Sequence, residues 1–340
     1  MDPLWDDDFL LHESRLRVPC WGVVGLHLER IVKGGSDRSY YRVTVHGPHD
    51  GPDSAILMVY TDRRPDNRSF FPATEVLALA GARVPEVYHH DAVRRLAWLE
   101  DLGPRDLYDW HADGAMRLPL YKSALEQVAH VHALQWADIP ENLRAQMQPA
   151  FDESLYAWEQ AYFFKEFASR FSAVAEDRLA LIQAQEEFTE LRRTLSALPR
   201  CPVHRDFQSQ NLIIRDGKAW MIDYQGLRQG RPEYDLASLL YDPYVTLSAE
   251  ERAELRDYYF GLRAGSDCHP RLLAMCACQR LMQALGAYGK LGIGDNKPSF
   301  LLHIRPAVEN LKAVLCESGL LPALWEVLDL REGSLGSVPS

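Results

Sequence analysis

The 340-residue sequence lacks the long apolar runs that mark membrane spans. No stretch of eighteen or more apolar residues occurs, so we expect no transmembrane helix and no membrane partner. The N-terminal segment MDPLWDDDFLLHESRLR is acidic, whereas a secretory signal is basic first and then apolar. We therefore expect a cytoplasmic protein.

The sequence also lacks paired cysteines and clustered basic residues. None of its six cysteines belongs to a CxxC pair, which argues against a zinc cluster or a disulfide framework. The formal net charge is −11 and no basic stripe occurs, which argues against binding to a nucleic-acid backbone. A small anionic ligand stays possible, because individual arginines and lysines can still bind it. The sequence gives no indication of the oligomeric state.

The length and the change of pattern along the chain predict two lobes, residues 1–101 and 102–340. The first lobe has one helical segment, SFFPATEVLALAGARVP, and five short segments rich in β-branched and aromatic residues. These five predicted strands are LHLERIVKG, SYYRVTVHG, SAILMVYTD, EVYHHD and LAWLED. We therefore predict an antiparallel sheet with one helix packed against it.

The second lobe is mainly helical, so the fold class is α+β. The predicted helices cover about residues 117–135, 152–173, 176–198, 248–264, 269–290 and 299–316. The segment NLIIRDGKAWMIDYQG differs, because Asp216–Gly217 between two apolar runs predicts a β-hairpin. A two-residue turn pairs Asn211 with Ile222, whereas a bulged three-residue turn pairs Asn211 with Asp223. Either register brings an amide oxygen close to a carboxylate.

A polar stretch, VHRDFQSQN, comes immediately before this hairpin. The Asn211 amide oxygen and the Asp223 carboxylate are hard ligands of the kind that Mg²⁺ prefers. Asp206 precedes the hairpin on a loop, where it can stand apart from a metal and accept a proton from a hydroxyl. Phosphoryl transfer requires this division of roles, since positioning and charge neutralisation supply most of the rate. The alternative is a polar loop that carries no chemistry.

The motifs resemble those of a known family. HRDFQSQN fits the catalytic-loop pattern H-R-D-x-x-x-x-N, and IDYQG stands where kinases carry Asp-Phe-Gly. With GGSDRSYYRV, EYDLASLLYD and QRLMQALGAYGKLG, they resemble the aminoglycoside phosphotransferase/choline kinase family over about residues 30–310. The branch they resemble most is that of the anomeric kinases of N-acetylmuramate and N-acetylglucosamine, which act in cell-wall sugar recycling. The resemblance implies a bilobal protein-kinase-like fold, a small-molecule sugar acceptor, and the cofactors ATP and Mg²⁺.

The resemblance also assigns roles to individual residues. It implies that Asp206 is the catalytic base and that Asn211 and Asp223 bind the magnesium ion. Asp235, in EYDLASLL, corresponds to a buried acid that braces the catalytic loop. The implied nucleotide-binding residues are Gly34, Gly35 and Ser36, through backbone N–H groups over the phosphates, and Glu100 and Leu102, through a backbone edge that reads adenine.

One feature of the family is missing. Most of these kinases carry a strand lysine that holds the nucleotide phosphates and pairs with a helix glutamate. Met58 stands near that position, and Glu75 is left on the helix without the expected partner. The cations that can replace the lysine are Lys33, Arg38, Arg42 and Arg63. Alternatively, the chain is a catalytically silent nucleotide-binding module, although all three residues of the chemical centre are present.

The polar residues around the predicted base favour a sugar acceptor. Tyr224 is expected to stack on a pyranose ring, and Arg280 suits the carboxylate of a lactyl group. The full set of predicted substrate-binding residues is Arg205, Gln208, Tyr224, Gln225, Asp242 and Arg280. Asp242 and Arg280 fit ordinary contacts between helices equally well. The alternative acceptors, aminoglycosides and choline-like amines, are cationic and need a pocket lined with acidic residues.

Overall fold

The computed structural model describes residues 5–18, 21, 25–31 and 38–335 of the chain. Its strands within these ranges are β1 (Gly25–Ile31), β2 (Ser39–His46), β3 (Ser54–Val59), β4 (Val87–Asp91), β5 (Leu96–Glu100), β6 (Cys201–Val203), β7 (Leu212–Arg215), β8 (Lys218–Met221) and β9 (Arg228–Gly230). The first five strands form one antiparallel sheet in the order β1-β2-β3-β5-β4. The five predicted strands are therefore confirmed.

Helices make up most of the remaining described chain. The α-helices are α1 (Asp7–Arg17), α2 (Phe70–Leu79), α3 (Arg117–Ala133), α4 (Glu141–Arg144), α5 (Glu153–Phe163), α6 (Ser169–Phe171), α7 (Glu176–Gln183), α8 (Glu186–Ala197), α9 (Pro232–Leu240), α10 (Ala249–Leu262), α11 (Pro270–Gly289), α12 (Ile304–Ser318) and α13 (Leu324–Val327). Short 3₁₀ segments cover Pro65–Ser69, Leu107–Trp110, Trp136–Asp138, Ser209–Asn211 and Pro298–His303, and π-helical turns cover Phe164–Ala168 and Lys290–Gly294. In the described part of the chain, no helix combines the length and the apolar character that a bilayer span requires.

The central strands of the sheet are buried on both faces. Successive residues of a strand point to opposite sides, so Leu57 and Met58 enter two different apolar clusters. Leu57 pairs with Trp98 across β3 and β5, while Met58 pairs with Ala97. Because helices cover both faces, these strands are apolar throughout rather than alternating with polar residues.

Helix α1 is a second helix in the first lobe, where the sequence predicted one. Asp6 caps it by accepting a hydrogen bond from the Phe9 backbone N–H at 2.8 Å. Leu10 packs against the sheet, and the Trp98 indole N–H donates to Ser14 Oγ at 2.8 Å. The acidic residues that argued against a secretory signal therefore begin a helix that covers one face of the sheet.

Helix α2 covers the opposite face and ends as predicted. Phe70 and Val76 pack in the same buried cluster as Met58. Gly81 has φ +73°, a left-handed conformation that glycine adopts without strain, and Ala82 N–H donates to the Leu77 carbonyl at 3.0 Å. The predicted C-terminal cap at Gly81 is thus confirmed.

The helical lobe differs from the prediction in several places, since α4, α13 and the β6–β9 strand pair were not predicted. The segment expected as one helix over residues 176–198 forms α7 and α8, because Gln185 has an extended backbone (φ −63°, ψ 139°). Helix α9, starting at Pro232, was not among the predicted helices. It lies between the β7–β8 hairpin and α10 in the chain, and its residues Asp235 and Ser238 contact the catalytic loop.

Candidate active site

The β7–β8 hairpin has the two-residue turn. Asp216 (φ 52°) and Gly217 (φ 69°) both have positive φ, as a type I′ turn requires. Leu212 accordingly pairs with Met221, and the Ile222 N–H donates to the Asn211 carbonyl at 3.0 Å. Asn211 therefore lies opposite Ile222 rather than Asp223. The bulged three-residue alternative is wrong, and Asp223 follows the Asn211–Ile222 pair by one residue.

Asp235 binds the backbone of the predicted catalytic loop. Its carboxylate, fully buried at the start of α9, accepts hydrogen bonds from the backbone N–H of His204 (2.6 Å) and of Arg205 (2.7 Å). His132 Nε2 lies 3.0 Å from the same carboxylate. Arg205 has φ 79°, a conformation that is costly for a non-glycine residue and that these bonds stabilise. The predicted bracing role of Asp235 is confirmed.

Asp242 braces the other end of the loop, which corrects its prediction as a substrate-binding residue. Oδ2 accepts hydrogen bonds from Ser209 N–H (2.8 Å) and Ser209 Oγ (2.6 Å), and Oδ1 accepts from Tyr244 N–H (3.0 Å). The residue is 1% exposed, and burial raises the pKa of its carboxyl group. Both oxygens are therefore occupied inside the protein, where no acceptor molecule reaches them.

The predicted metal ligands meet at the open end of the hairpin. Asn211 Nδ2 donates to the Asp206 carbonyl at 2.8 Å, which leaves Asn211 Oδ1 as the free end of the amide for a ligand. Asp223 is in the left-handed region (φ 60°), and its side chain is 38% exposed. Asp223 Oδ1 lies 2.5 Å from Arg38 Nη2, and Arg38 Nη1 donates to Gln225 Oε1 at 2.9 Å. A carboxylate and an amide oxygen at the same end of a hairpin are hard oxygen donors of the kind that Mg²⁺ prefers.

The position of the missing strand lysine is apolar. Met58, on β3, is 1% exposed and packs in the cluster beneath α2. Glu75, on α2, is exposed. The lysine–glutamate pair of related kinases therefore has no direct counterpart among the described residues.

Arg38 is the candidate cation that the structure brings to the site. Its side chain is 3% exposed and pairs with Asp223, the acid predicted to bind the metal, which belongs to the other lobe. Arg42 instead pairs with Asp101 at 2.6 Å, and Arg63 is exposed. Lys33 lies outside the described residues. Burial alone would lower the pKa of Arg38, but the nearby acidic groups, with Tyr40, raise it above its ordinary value.

The remaining nucleotide-binding predictions stay predictions. Residues 34–36, predicted to cover the phosphates, lie outside the described residues. Glu100, at the end of β5, donates its backbone N–H to the Glu86 carbonyl at 2.8 Å. Its side chain pairs with Arg215 at 2.5 Å. Leu102, two residues later, is 6% exposed.

Two arginines lie beside the predicted base. Asp206 Oδ2 is 3.3 Å from Arg205 Nη1, and Oδ1 is 3.7 Å from Arg280 Nη2. Burial alone would raise the pKa of Asp206, but the charges of Arg205 and Arg280 hold it below its ordinary value. Arg280 Nη2 also donates to Gln208 Oε1 at 3.4 Å. Asp206 is 28% exposed and ionised at neutral pH, as a base must be.

The placement of Tyr224 contradicts its prediction as a sugar-stacking residue. Its ring is fully buried and stacks on Phe70, with centroids 4.9 Å apart and an interplanar angle of 17°. Its hydroxyl lies 2.9 Å from Thr74 Oγ1. Gln225 Oε1 accepts a hydrogen bond from Arg38, and its contact with the acceptor stays a prediction.

Sequence reasoning missed two buried charged residues whose charges act on the arginines beside the base. Arg228, on β9, is 7% exposed, and burial together with Arg205 lowers its pKa to about 10. Glu159, on α5, is fully buried and accepts hydrogen bonds from Tyr234 Oη and Gln279 Nε2, both at 3.0 Å. Neither residue belongs to a motif, and each reaches the loop through the packing of distant elements.

The arrangement predicted for a kinase-like phosphotransferase comprises the loop around Asp206, the β7–β8 hairpin and the contact between Arg38 and Asp223. The family model described as "Phosphotransferase enzyme family" matches residues 27–270, more than half of the chain. The chain belongs to this family, and the prediction of a phosphotransferase is confirmed.

Curated relatives agree with this assignment. An N-acetylmuramate/N-acetylglucosamine kinase of Caulobacter vibrioides is 30% identical over 261 residues, which cover 74% of this chain and 66% of the relative. A protein of the same name from Pseudomonas aeruginosa is 25% identical over 307 residues, 88% of this chain and 87% of the relative.

Solved structures share the fold at low identity. ADP-bound aminoglycoside phosphotransferase APH(2'')-Ib superposes with a TM-score of 0.59 at 13% identity, over 96% of this chain and 100% of that one. Choline kinase from Cryptosporidium parvum Iowa II gives 0.60 at 14% identity, over 95% and 99%. The predicted bilobal α+β, protein-kinase-like fold is therefore confirmed.

Proposed function

We propose that the protein is an ATP- and Mg²⁺-dependent kinase that phosphorylates the anomeric hydroxyl of an N-acetylmuramate- or N-acetylglucosamine-type sugar. The observation that carries this proposal is the arrangement of Asp206, Asn211 and Asp223 around one loop and hairpin in a member of a phosphotransferase family. The names of the relatives from Caulobacter vibrioides and Pseudomonas aeruginosa support the choice of acceptor. A sugar 1-phosphate made with cytoplasmic ATP fits a role in cell-wall sugar recycling.

Asp206 acts as the base in this proposal. Its partly exposed carboxylate accepts the proton of the acceptor hydroxyl while the hydroxyl oxygen forms its bond to the γ-phosphorus and ADP leaves. The pKa of Asp206 lies below its ordinary value, so the carboxylate is ready to accept a hydrogen bond from the hydroxyl at neutral pH. Asp235 and Asp242 keep the loop in place through its backbone N–H groups.

Asn211 and Asp223 would hold the metal ion, and Arg38 would hold the phosphate oxygens in place of the missing lysine. A bound Mg²⁺ supplies positive charge to the phosphate oxygens. Arg38 belongs to residues 1–101 and Asp223 to residues 102–340, so we place the nucleotide between these two lobes. Arg38 now pairs with Asp223 at 2.5 Å and is therefore within side-chain reach of a nucleotide bound there.

The charges around Asp206 favour a sugar over a cationic acceptor. Arg205, Arg228 and Arg280 all lie near its carboxylate, and an aminoglycoside or a choline-like amine would be repelled by them. The preserved chemical centre also argues against a silent nucleotide-binding module. Gln208, held by Arg280, stays available to a sugar hydroxyl or an N-acetyl group.

Phosphorus NMR of the reaction product tests this function directly. We expect an anomeric sugar phosphate after incubation with ATP, Mg²⁺ and either N-acetylmuramate or N-acetylglucosamine, and no product when the metal is chelated. A product that still reacts as a reducing sugar would place the phosphate on another hydroxyl. ATP consumption with choline or an aminoglycoside alone would refute the acceptor assignment and leave the kinase assignment standing.

A further inference from the structure

Two guanidinium groups lie beside the partly exposed Asp206 carboxylate, and the charge of a third, Arg228, also acts on it. Arg205 and Arg280 lie 3.3 and 3.7 Å from the Asp206 oxygens. Arg228 comes from β9, which pairs with the strand just before the catalytic loop. In that pairing Arg228 lies opposite Val203, two residues before Arg205, so its side chain starts beside the loop that carries Asp206.

Acids near this cluster are already engaged within the protein, as Asp235 and Asp242 are by the backbone of the loop. Glu159, another nearby acid, accepts hydrogen bonds from Tyr234 and Gln279, and burial raises its pKa, which favours the neutral form. Asp206 therefore faces three cations. Within the described part of the chain, Arg205 Nε is buried and has no hydrogen-bond partner. Buried cations without matching acids are costly, so an anionic ligand would stabilise this arrangement.

Arg228 is positioned before any ligand binds. Its Nε donates to the Gly226 carbonyl at 2.9 Å, and its guanidinium carbon lies 5.3 Å from the Phe151 ring centroid. These two contacts hold the guanidinium and leave its two Nη groups as donors. Arg280 is held at all three of its nitrogens, since Nε donates to Ser238 Oγ at 2.8 Å, Nη1 donates to Gln283 Oε1 and Nη2 donates to Gln208 Oε1 at 3.4 Å. The Arg228 guanidinium, held at Nε, is therefore the group suited to a carboxylate, and Arg280 adds positive charge near Asp206.

We propose that Arg228, with Arg280, binds a carboxylate of the acceptor, so that the enzyme prefers N-acetylmuramate to N-acetylglucosamine. This inference rests on the proposed sugar kinase function. The two sugars share the ring, the N-acetyl group and the anomeric hydroxyl, but N-acetylmuramate also carries a lactyl carboxylate. Arg228 is thus a specificity-determining residue, separate from the groups that bind the nucleotide.

Steady-state kinetics of Arg228→Met with both sugars test the inference. Losing one hydrogen-bonded charge pair should raise KM for N-acetylmuramate by about 10- to 100-fold. The ratio of kcat/KM for N-acetylmuramate to kcat/KM for N-acetylglucosamine should fall by about 10-fold or more. Any effect of Arg228 on the charge of Asp206 is common to both sugars, whereas only N-acetylmuramate carries the carboxylate. Arg228→Lys should recover part of the loss, since it restores the charge without the fork. Arg252→Met, at a remote arginine over Tyr241, is the matched control.

A modified acceptor tests the same claim without a mutation. The methyl ester of N-acetylmuramate is neutral, and the wild-type enzyme should bind it no better than N-acetylglucosamine. Equal losses with both sugars in Arg228→Met would show that Arg228 contacts the phosphoryl group or a shared part of the sugar, and would overturn the inference. A wild-type enzyme that uses both sugars equally well would overturn it too, while the proposed function would stand. Turnover of neither sugar would refute the proposed function itself.

Discussion

Replacing Arg38 with methionine tests how this chain compensates for the absent strand lysine. Arg38 is 3% exposed, lies 2.5 Å from Asp223, and donates to Gln225 at 2.9 Å. Methionine keeps most of the apolar stem and removes the charge. If Arg38 holds the nucleotide phosphates, the variant should bind ATP more weakly without losing its fold.

The structure sets the scale of the two effects. A hydrogen bond from a charged group to phosphate contributes about 1.5–3 kcal/mol, which corresponds to a rise in the KM for ATP of about 10- to 100-fold. The ion pair with Asp223 contributes less to folding, because the acid is 38% exposed and water screens it. We expect a free-energy change of about 1 kcal/mol or less and a Tm shift of at most a few degrees.

The assay compares the KM for ATP with the Tm in Arg38→Met and in a control. Arg63→Met removes another candidate cation of the same lobe, one that is exposed, and should leave the KM for ATP within about twofold. An unchanged KM for ATP in Arg38→Met would refute the proposed substitution for lysine. A loss of fold comparable to that of a core mutation would show that Arg38 serves mainly to join the lobes.

Two further predictions concern the catalytic loop. Asp235→Ala removes the acceptor of the His204 and Arg205 backbone N–H groups. Thermal unfolding should therefore show that the free energy of unfolding falls by about 2–5 kcal/mol. A fall of less than about 0.5 kcal/mol would contradict the bracing role. Arg280→Met removes a positive charge that lowers the pKa of Asp206. The base must be ionised, so activity is lost as the pH falls through this pKa. The acid limb of the pH profile of kcat should therefore move to higher pH in the variant. An acid limb that stays in place or moves to lower pH would show that Arg280 does not act on the base.

Local sequence was sufficient for the hairpin and for the chemical centre. Asp216–Gly217 between apolar runs specifies a type I′ turn, and this turn fixes Asn211 and Asp223 at the open end. The spacing from Asp206 to Asn211 is short enough for a single loop to position both side chains. The roles of these residues in the reaction stay predictions until they are measured.

Tertiary packing decided the residues that the sequence did not reveal. Asp242 and Arg280 both come from the helical lobe. The Asp242 carboxylate accepts a hydrogen bond from the Ser209 backbone, whereas the Arg280 guanidinium lies beside Asp206. That difference depends on how α9 and α11 pack, and no local pattern encodes it. Arg228 and Glu159 reach the site from separate elements in the same way. Helix α1 was missed because its acidic start was considered only as evidence against a signal segment.

The turnover of Asp206→Asn tests the central claim most directly. Asparagine keeps the shape of the side chain and removes the base, while Asn211 and Asp223 stay in place for the metal. With Mg²⁺, ATP and N-acetylmuramate, we expect kcat to fall by about 10²- to 10⁴-fold, while the affinity for Mg²⁺–ATP, measured by titration calorimetry, stays within a few fold of wild type. Turnover close to wild type would contradict the assignment of Asp206 as the base and, with it, the account of this site.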